Sequence, residues 1–173
     1  DLLIKVSYSS LNYKDAMSAS GMPGVTRNYP HTPGIDAVGE IEQTSNKNFK
    51  EGDKVIVTGY DLGMNTSGGF GQYIRVPSQW ATLLPAGLSE IESMSLGTAG
   101  LTAGLSVSSL DFYRRNKGFD GTKSIVTGAT GGVGSIALIL LAKLNSEVTA
   151  VTGKKEQQEF LTNLGASEVI SRE

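Results

Sequence analysis

The feature that most constrains this chain is a glycine turn between a short apolar run and an amphipathic segment. Gly128, Gly131 and Gly134 stand three residues apart, directly after Ser124–Thr127, a run typical of a short buried strand. The segment after the turn repeats apolar side chains at the spacing of one helical face. These side chains are Val133, Ile136, Ala137, Leu140, Leu141 and Leu144. With a second apolar run at 147–151, the pattern predicts a strand–turn–helix–strand unit of a parallel sheet.

The glycine turn predicts a phosphate-binding loop. Glycine permits a positive φ at the turn, lets the backbone approach a pyrophosphate, and lets the helix pack closely on the strand. The helix N-terminus adds N–H groups and a positive dipole end. The predicted contacts are Gly128, Ala129, Thr130, Gly131, Gly132, Val133 and Gly134. The alternative is a glycine-rich turn without a ligand, which the strand-before, helix-after context disfavours.

The residues after the second strand distinguish two dinucleotides. An NAD-binding unit usually places Asp or Glu there, to hold the ribose 2′-hydroxyl. This chain has Thr152, Gly153, Lys154 and Lys155, with no carboxylate before Glu156. A hydroxyl and ammonium groups suit a 2′-phosphate, so the triplet Thr152–Lys154 predicts NADPH. The alternative is that the lysines only solvate the next helix, although the helix dipole disfavours cations at that end.

The other elements follow from turn signals and apolar runs. Strands are predicted at 2–8, 37–41, 54–58, 71–76 and 80–84, a β-rich region with Gly, Pro and Asn turns. A short helical turn is expected at 12–17. The S-x-x-E pattern from Ser89 to Glu92 predicts a helix start, with the helix continuing to Leu110 and a surface connection over 111–122. A helix at 156–164 and a third strand at 167–170 complete the pattern.

Composition excludes several classes of protein. The chain has 173 residues, 15 Lys+Arg, 17 Asp+Glu and a net charge of -2, with no basic block for nucleic acid. No apolar run reaches the roughly 20 residues that span a bilayer. Because there is no Cys and one His, thiolate nucleophiles, cysteine zinc sites and multi-histidine centres are excluded. The absence of Cys agrees with the cytoplasm, which is the predicted location.

Five motifs together resemble the medium-chain dehydrogenase/reductase superfamily. They are similar to its quinone-oxidoreductase-like branch, which contains the acrylyl-CoA reductases, and they run in order along essentially the whole chain. The motifs are Asn12–Asp15 (NYKD), Pro33–Gly39 (PGIDAVG), Gly52–Val55 (GDKV), Gly97–Ala103 (GTAGLTA) and Thr127–Gly134 (TGATGGVG).

The resemblance implies an α/β plus β fold. A GroES-like β-barrel catalytic domain at 1–88 precedes a Rossmann NADP-binding domain at 89–173. Family members are about twice this length, and a complete Rossmann sheet has six strands where three are counted here. We therefore expect a fragment that lacks an N-terminal strand and the second half of the Rossmann domain. The family also implies a homodimer.

The resemblance further implies a zinc-independent oxidoreductase that transfers a hydride from NADPH to a small molecule. The expected substrate is an activated alkene, such as an acrylyl-CoA-like enoyl thioester, an enone, or a quinone. Where zinc-dependent relatives have a His-Glu pair, this chain has Ile35 and Asp36. The alternatives are a non-catalytic NADPH-binding regulatory member, and an enoyl reductase module of a larger protein.

Three residues outside the glycine turn are implicated by the resemblance. Tyr13 is expected to contact the cofactor and is the candidate catalytic proton donor, the alternative being a packed aromatic side chain. Thr98 and Thr102 are expected to face the nicotinamide, the alternative being packing between helices by small residues. Asp36 is expected to be structural and to pair with a nearby backbone group, and His31 is expected at the surface.

Overall fold

The structure, a computed structural model, describes residues 1–172, apart from the side chain of Lys155. The chain divides into two compact units, Asp1–Thr98 and Ala99–Glu173. The predicted domain boundary after residue 88 stays a prediction. Each unit has its own apolar core and is described by itself.

The first unit is built on one antiparallel sheet of five strands in the order β4-β1-β2-β3-β5. The sequence patterns predict every one of these strands, with end shifts of up to three residues. The elements are β1 (Leu2–Tyr8), α1 (Tyr13–Ala19), β2 (Asp36–Thr44), β3 (Lys54–Thr58), β4 (Tyr73–Val76), a 3-10 turn (Ser78–Trp80) and β5 (Ala81–Leu83).

Alternation along the strands forms the core of the first unit. Leu2 and Ile4 of β1 are buried, as are Val55 and Val57 of β3, the period-two pattern of a sheet with one core face. Gly39 of β2 lies so close to β1 that a Cβ there would overlap the Lys5 carbonyl oxygen. That close approach accounts for the glycine within this strand.

The long helix α2 (Glu90–Tyr113) begins as predicted and is interrupted at Gly97. The capping box forms, since the Ser89 hydroxyl accepts the Glu92 N–H and the Glu92 carboxylate accepts the Ser89 N–H at 2.9 Å. Gly97 has φ 48° and ψ -150°, a conformation that is accessible essentially to glycine alone.

The second unit contains a three-stranded parallel sheet in the order β6-β7-β8. This confirms the predicted α/β unit and its three strands. The elements after α2 are β6 (Lys123–Thr127), α3 (Gly132–Lys143), β7 (Glu147–Thr152), a 3-10 turn (Lys155–Gln157), α4 (Gln158–Asn163) and β8 (Glu168–Ser171).

Two expectations for the second unit are wrong in part. The buried face of α3 is centred on Leu138 and Leu141, whereas Val133 and Leu144 are 40% and 45% exposed. The apolar stripe of α3 is wider than the part that contacts the sheet. Periodicity alone therefore did not predict the centre of the buried face. The stretch 111–122 is not all surface, because α2 continues to Tyr113 and Phe119 enters the core.

Within residues 1–172, no helix combines the length and apolar character needed to cross a membrane. The same residues contain no group of three or more His, Cys, Asp or Glu side chains arranged to hold a metal ion.

Candidate functional site

The glycine loop connects β6 to α3 in the second unit, where the sequence predicted it. Gly128 has φ +60°, and the Gly131 N–H donates to the Gly128 carbonyl at 2.9 Å. Gly131 is the N-cap of α3, and no side chain caps this helix. The first N–H groups of a helix have no intrahelical partner, so the loop presents backbone donors at a positive dipole end.

Gly134 is required for close packing of α3 on the turn. A Cβ at this position would overlap the Gly128 carbonyl oxygen and would lie 2.8 Å from the carbonyl carbon. At Gly131 a Cβ would lie 3.3 Å from the same oxygen, a tight contact without an overlap. The three glycines thus have the separate roles expected of them: a positive φ, an accessible backbone, and a close helix contact.

The triplet Thr152–Lys154, which begins with the last residue of β7, lies beside this loop. The Ala129 N–H donates to the Val151 carbonyl at 3.2 Å, which places the carboxyl ends of β6 and β7 together. Thr152 is buried, and its hydroxyl oxygen accepts the Lys154 N–H at 3.0 Å. Lys154 and Gly153 are exposed. The structure therefore brings the predicted loop and triplet together in one unit.

Arg172 is a candidate site residue that the sequence reasoning missed. Its N–H donates to the Thr152 carbonyl at 3.1 Å, and its guanidinium lies over Gly153, 3.7 Å from where a Cβ would stand. Within residues 1–172 the ion pairs join Lys54 to Glu90 and Lys123 to Glu147, so the Arg172 guanidinium is not neutralised by a carboxylate there. The sequence signal that could have identified Arg172 was its position just after β8. In the parallel sheet, the carboxyl end of β8 lies beside the carboxyl end of β7.

An open groove of about 550 Å³ runs along the outer side of the glycine loop. Its walls are the loop, β6 through Ile125, and the α2 residues Ser106 and Leu110. The lining is mainly apolar, and its polar parts include Ser106, Thr127 and the loop backbone.

A second polar centre, in the first unit, surrounds Asp36 at the start of β2. Asp36 is fully buried, and its carboxylate accepts hydrogen bonds from Ser10, Asn12 and Thr98 at 2.7 to 2.9 Å. The expectation that Asp36 pairs with a backbone group is confirmed by the Thr98 N–H. Thr98, a predicted cofactor contact, also donates its hydroxyl hydrogen to this carboxylate.

Tyr13 is the first residue of α1 and its side chain is 79% exposed. The helix is fixed from beneath by Asp15, which is buried and accepts the N–H groups of Asn12 and Ile35 at 2.8 and 2.9 Å. Both carboxylate oxygens of Asp15 thus accept backbone donors. This exposure disfavours the alternative of a packed aromatic side chain, while the contact of Tyr13 with a cofactor stays a prediction.

His31 is not the surface residue expected from sequence. It is partly buried, its Nε2 lies 2.7 Å from the fully buried Ser18 hydroxyl, and its ring meets Tyr29 edge-on. Ser18 also bonds Thr26 at 2.6 Å, so this cluster anchors the end of α1. Nothing in the local sequence signalled it, because its members come together only in the fold.

The predicted site residues fall in both units. Tyr13 and Thr98 belong to the first unit, where Asn12 and Asp36 link them. The glycine loop, the triplet and Thr102 belong to the second, and Thr102 is exposed on α2. The assignment of each of these residues to a cofactor stays a prediction.

The folds of the two units define a class: a GroES-like domain followed along the chain by a Rossmann-like α/β unit. Residues 1–86 match the family model described as the alcohol dehydrogenase GroES-like domain. The parallel sheet of the second unit is Rossmann-like.

Curated relatives and solved structures identify the family more narrowly. Acrylyl-CoA reductase AcuI of Ruegeria pomeroyi is 42% identical over 100% of this chain and 52% of its own length. Putative quinone oxidoreductase YhfP of Bacillus subtilis is 47% identical over 99% of this chain and 52% of its own. The yhdH oxidoreductase of Salmonella enterica, solved in complex with NADP, is 41% identical with a TM-score of 0.94, over 99% of this chain and 52% of that one.

The chain belongs to the medium-chain dehydrogenase/reductase superfamily, in its quinone-oxidoreductase-like branch. It spans about half the length of the curated relatives it matches. NADP, a cofactor of the type predicted for this chain, is bound in the structure of the Salmonella relative. The structure of Bacillus subtilis yhfP, 46% identical with a TM-score of 0.90 over 99% of this chain and 51% of that one, is described with NAD bound.

Proposed function

We propose that this protein is an NADPH-dependent, zinc-independent oxidoreductase that reduces an activated alkene or a quinone. The observation that carries the proposal is the uncapped N-terminus of α3 behind a glycine loop, beside the cationic ends of β7 and β8. The substrate class is supported by the named relatives, which are acrylyl-CoA reductases and quinone oxidoreductases. An enoyl thioester of the acrylyl-CoA kind is the specific substrate we propose.

The residues present fit this cofactor. A pyrophosphate needs a backbone surface free of side chains, which the exposed Gly128, Gly131 and Gly132 provide. A 2′-phosphate needs donors and positive charge, which the Lys154 ammonium and the Arg172 guanidinium supply. In our proposal the backbone of 128–134 holds the pyrophosphate, while Thr152, Gly153, Lys154 and Arg172 hold the 2′-phosphate.

When bound, NADPH would supply a hydride, whose electron pair forms the new C–H bond, and the displaced π electrons would place negative charge on the acceptor oxygen and the neighbouring carbon. The protein then has to orient the acceptor, stabilise negative charge on its oxygen, and deliver a proton. Without a Cys or a second His in the chain, hydrogen-bond donors take the place that a metal has in zinc-dependent relatives.

Tyr13 is the residue that we propose for proton delivery. Its exposed phenol stands at the start of a helix that Asp15 fixes, and a phenol both donates a hydrogen bond and releases a proton. Thr98 and Thr102 are proposed as nicotinamide contacts. The homodimer and the cytoplasmic location stay predictions.

Substitution of Gly131 tests the cofactor assignment. The Gly131→Asp side chain places a carboxylate where the pyrophosphate is proposed to lie, so NADPH affinity is expected to fall at least about 100-fold, as repulsion adds to the loss of space. The matched neutral control is Gly131→Asn, which keeps the shape and should bind NADPH more tightly than the aspartate variant. The measurement is NADPH fluorescence titration of the protein as its gene encodes it. Unchanged affinity in Gly131→Asp would remove the assignment.

The substrate class is tested by turnover. NADPH oxidation is followed with acrylyl-CoA, with a simple enone and with a quinone, and we expect the thioester to give the highest kcat/KM. Tyr13→Phe should lower kcat by about 100-fold, the lower range of general-acid catalysis, with little change in NADPH affinity. Absence of turnover with all three acceptors would support the non-catalytic alternative instead.

A further inference from the structure

We propose that Asp36 is the positioning residue for the proposed nicotinamide contacts of the first unit. This inference rests on the proposed function, because it assigns Thr98 and Tyr13 to the cofactor. Asp36 touches neither cofactor nor substrate in the proposal. It acts through the groups that its carboxylate holds, which are the backbone and hydroxyl of Thr98 and the side chain of Asn12.

The carboxylate of Asp36 accepts four hydrogen bonds. Its Oδ2 accepts the Ser10 hydroxyl at 2.7 Å, the Asn12 side-chain amide at 2.9 Å and the Thr98 N–H at 2.9 Å. Its Oδ1 accepts the Thr98 hydroxyl at 2.7 Å. A carboxylate offers about four lone-pair sites, and here three of the four donors converge on Oδ2.

The donors come from two segments far apart in sequence. Ser10 and Asn12 form the turn that enters α1, and Asn12 immediately precedes Tyr13. Thr98 opens the segment of α2 that follows the break at Gly97. One buried carboxylate therefore sets both the turn before Tyr13 and the backbone at Thr98, so a shift of Asp36 would move both proposed contacts together.

Gly97 shows how closely the surrounding structure fits Asp36. A Cβ on Gly97 would stand 2.6 Å from Asp36 Oδ2 and 2.6 Å from the Ser10 hydroxyl. The φ and ψ at Gly97, which glycine adopts without a steric penalty, thus bring the α2 backbone against the carboxylate, where the Thr98 N–H donates to it. A larger residue at Gly97 would displace this backbone from Asp36.

All four donors to Asp36 are neutral groups, and they come from both segments. Loss of the acceptor would leave these donors without their partner in a buried site. We therefore expect it to shift the turn before Tyr13 and the backbone at Thr98, and to lower stability as well.

The test compares Asp36→Ala with Asp36→Asn. The alanine variant removes the acceptor, and single-turnover reduction of an enone by bound NADPH is expected to slow about 100-fold, the cost of a misplacement near 1 Å. The asparagine variant keeps the geometry, because its amide oxygen can take the three donors at Oδ2 and its NH₂ can donate to the Thr98 hydroxyl. Single-turnover reduction should therefore be at least tenfold faster in the asparagine variant than in the alanine variant.

Two readouts separate positioning from unfolding and from loss of the cofactor site. Affinity for adenosine 2′,5′-bisphosphate, which has the 2′-phosphate end but no nicotinamide, should stay within twofold of the parent protein in both variants. The fluorescence of bound NADPH, which reports the surroundings of the nicotinamide, should change in Asp36→Ala. The matched control is Asp61→Asn, since Asp61 also accepts two side-chain donors, at 3.1 Å, in the first unit; it should leave rate and fluorescence unchanged.

A parental rate and parental fluorescence in Asp36→Ala would overturn the inference, as would an asparagine variant as slow as the alanine variant. If Asp36→Ala does not fold, Ser10→Ala removes one of the four donors and should slow the reaction about fivefold, the value of one hydrogen bond; a parental rate there overturns the inference. Failure of the parent protein to bind adenosine 2′,5′-bisphosphate would instead contradict the proposed function.

Discussion

The polar groups of the two units are arranged in opposite ways. Around Asp36 a buried carboxylate accepts four hydrogen bonds within the fold, from Ser10, Asn12 and Thr98. Around Gly131 the helix N-terminus has no side-chain cap and the backbone is exposed. The first centre is hydrogen-bonded within the protein, whereas the second offers backbone donors that a ligand can use.

The number of hydrogen-bond partners within the fold therefore distinguishes a structural centre from a candidate binding surface. Buried polar groups are almost always hydrogen-bonded, and a fully buried centre such as Asp36, which is bonded within the fold, acts by holding its neighbours. An exposed helix N-terminus without a cap is satisfied by water, which an anion can displace. The two centres should therefore respond differently to substitution.

The largest effect is expected at Gly134. Gly134→Ala would force a Cβ into the Gly128 carbonyl, which should cost about 1–3 kcal/mol of stability, the usual cost of overpacking, and displace the loop enough to abolish NADPH binding. Thermal unfolding and fluorescence titration measure the two effects.

The control for Gly134 is a glycine with open space around it. Nothing lies within 4 Å of a Cβ on Gly104 in α2. Gly104→Ala should therefore keep NADPH affinity and raise the free energy of unfolding by about 0.5–1 kcal/mol, the usual difference between alanine and glycine within a helix. Equal behaviour of the two variants would contradict the role given to Gly134.

The next effect concerns the cations at the ends of β7 and β8. Lys154→Ala and Arg172→Ala should each lower NADPH affinity about tenfold and leave NADH affinity nearly unchanged, because a charge-assisted hydrogen bond contributes about 1.5 kcal/mol or more. Lys123→Ala is the matched control, an exposed lysine that begins β6 and therefore lies at the amino end of the parallel sheet. An equal loss of NADH affinity would show that these cations do not recognise the 2′-phosphate.

The sequence predicted those features that depend only on neighbouring residues in the chain. The glycine spacing, the strand before it and the triplet after β7 are contiguous in the chain, and each has a local physical reason. The Ser89 capping box was likewise found where the pattern lies. Short-range rules of this kind need no knowledge of the rest of the fold.

The features that sequence missed depend on long-range proximity. The sequence predicted a backbone partner for Asp36 but not that it is Thr98, 62 positions away, and it did not predict the contact of His31 with Ser18 of α1. Arg172 reaches Gly153 because β7 and β8 are neighbours in the sheet. The buried face of α3 was misplaced for the same reason, since periodicity shows that a stripe is apolar without showing which part of it meets the sheet.

The smallest effect is expected at the partly exposed ion pair between Lys54 and Glu90 in the first unit. The Lys54 ammonium, 2.9 Å away, and a hydrogen bond with Ser7 hold the pKa of Glu90 below its ordinary value of 4.5. A lowered pKa means that the ionised carboxylate stabilises the fold above the unfolded-state pKa, and that this stabilisation is lost as pH falls through the folded-state value.

Glu90→Gln should therefore lower stability slightly at pH 7 and flatten its fall below about pH 4.5, without any effect on NADPH binding. Urea unfolding across this pH range measures the slope. A slope as steep as that of the parent protein would show that Glu90 contributes nothing to the acid limb.

The central claim is that the open centre of the second unit binds a dinucleotide through its 2′-phosphate. The most direct measurement is the ratio of the dissociation constants of NADH and NADPH for the protein as its gene encodes it. We predict that NADPH binds at least about tenfold more tightly, the contribution of one charge-assisted contact to the 2′-phosphate. Equal affinities, or tighter binding of NADH, would contradict the account.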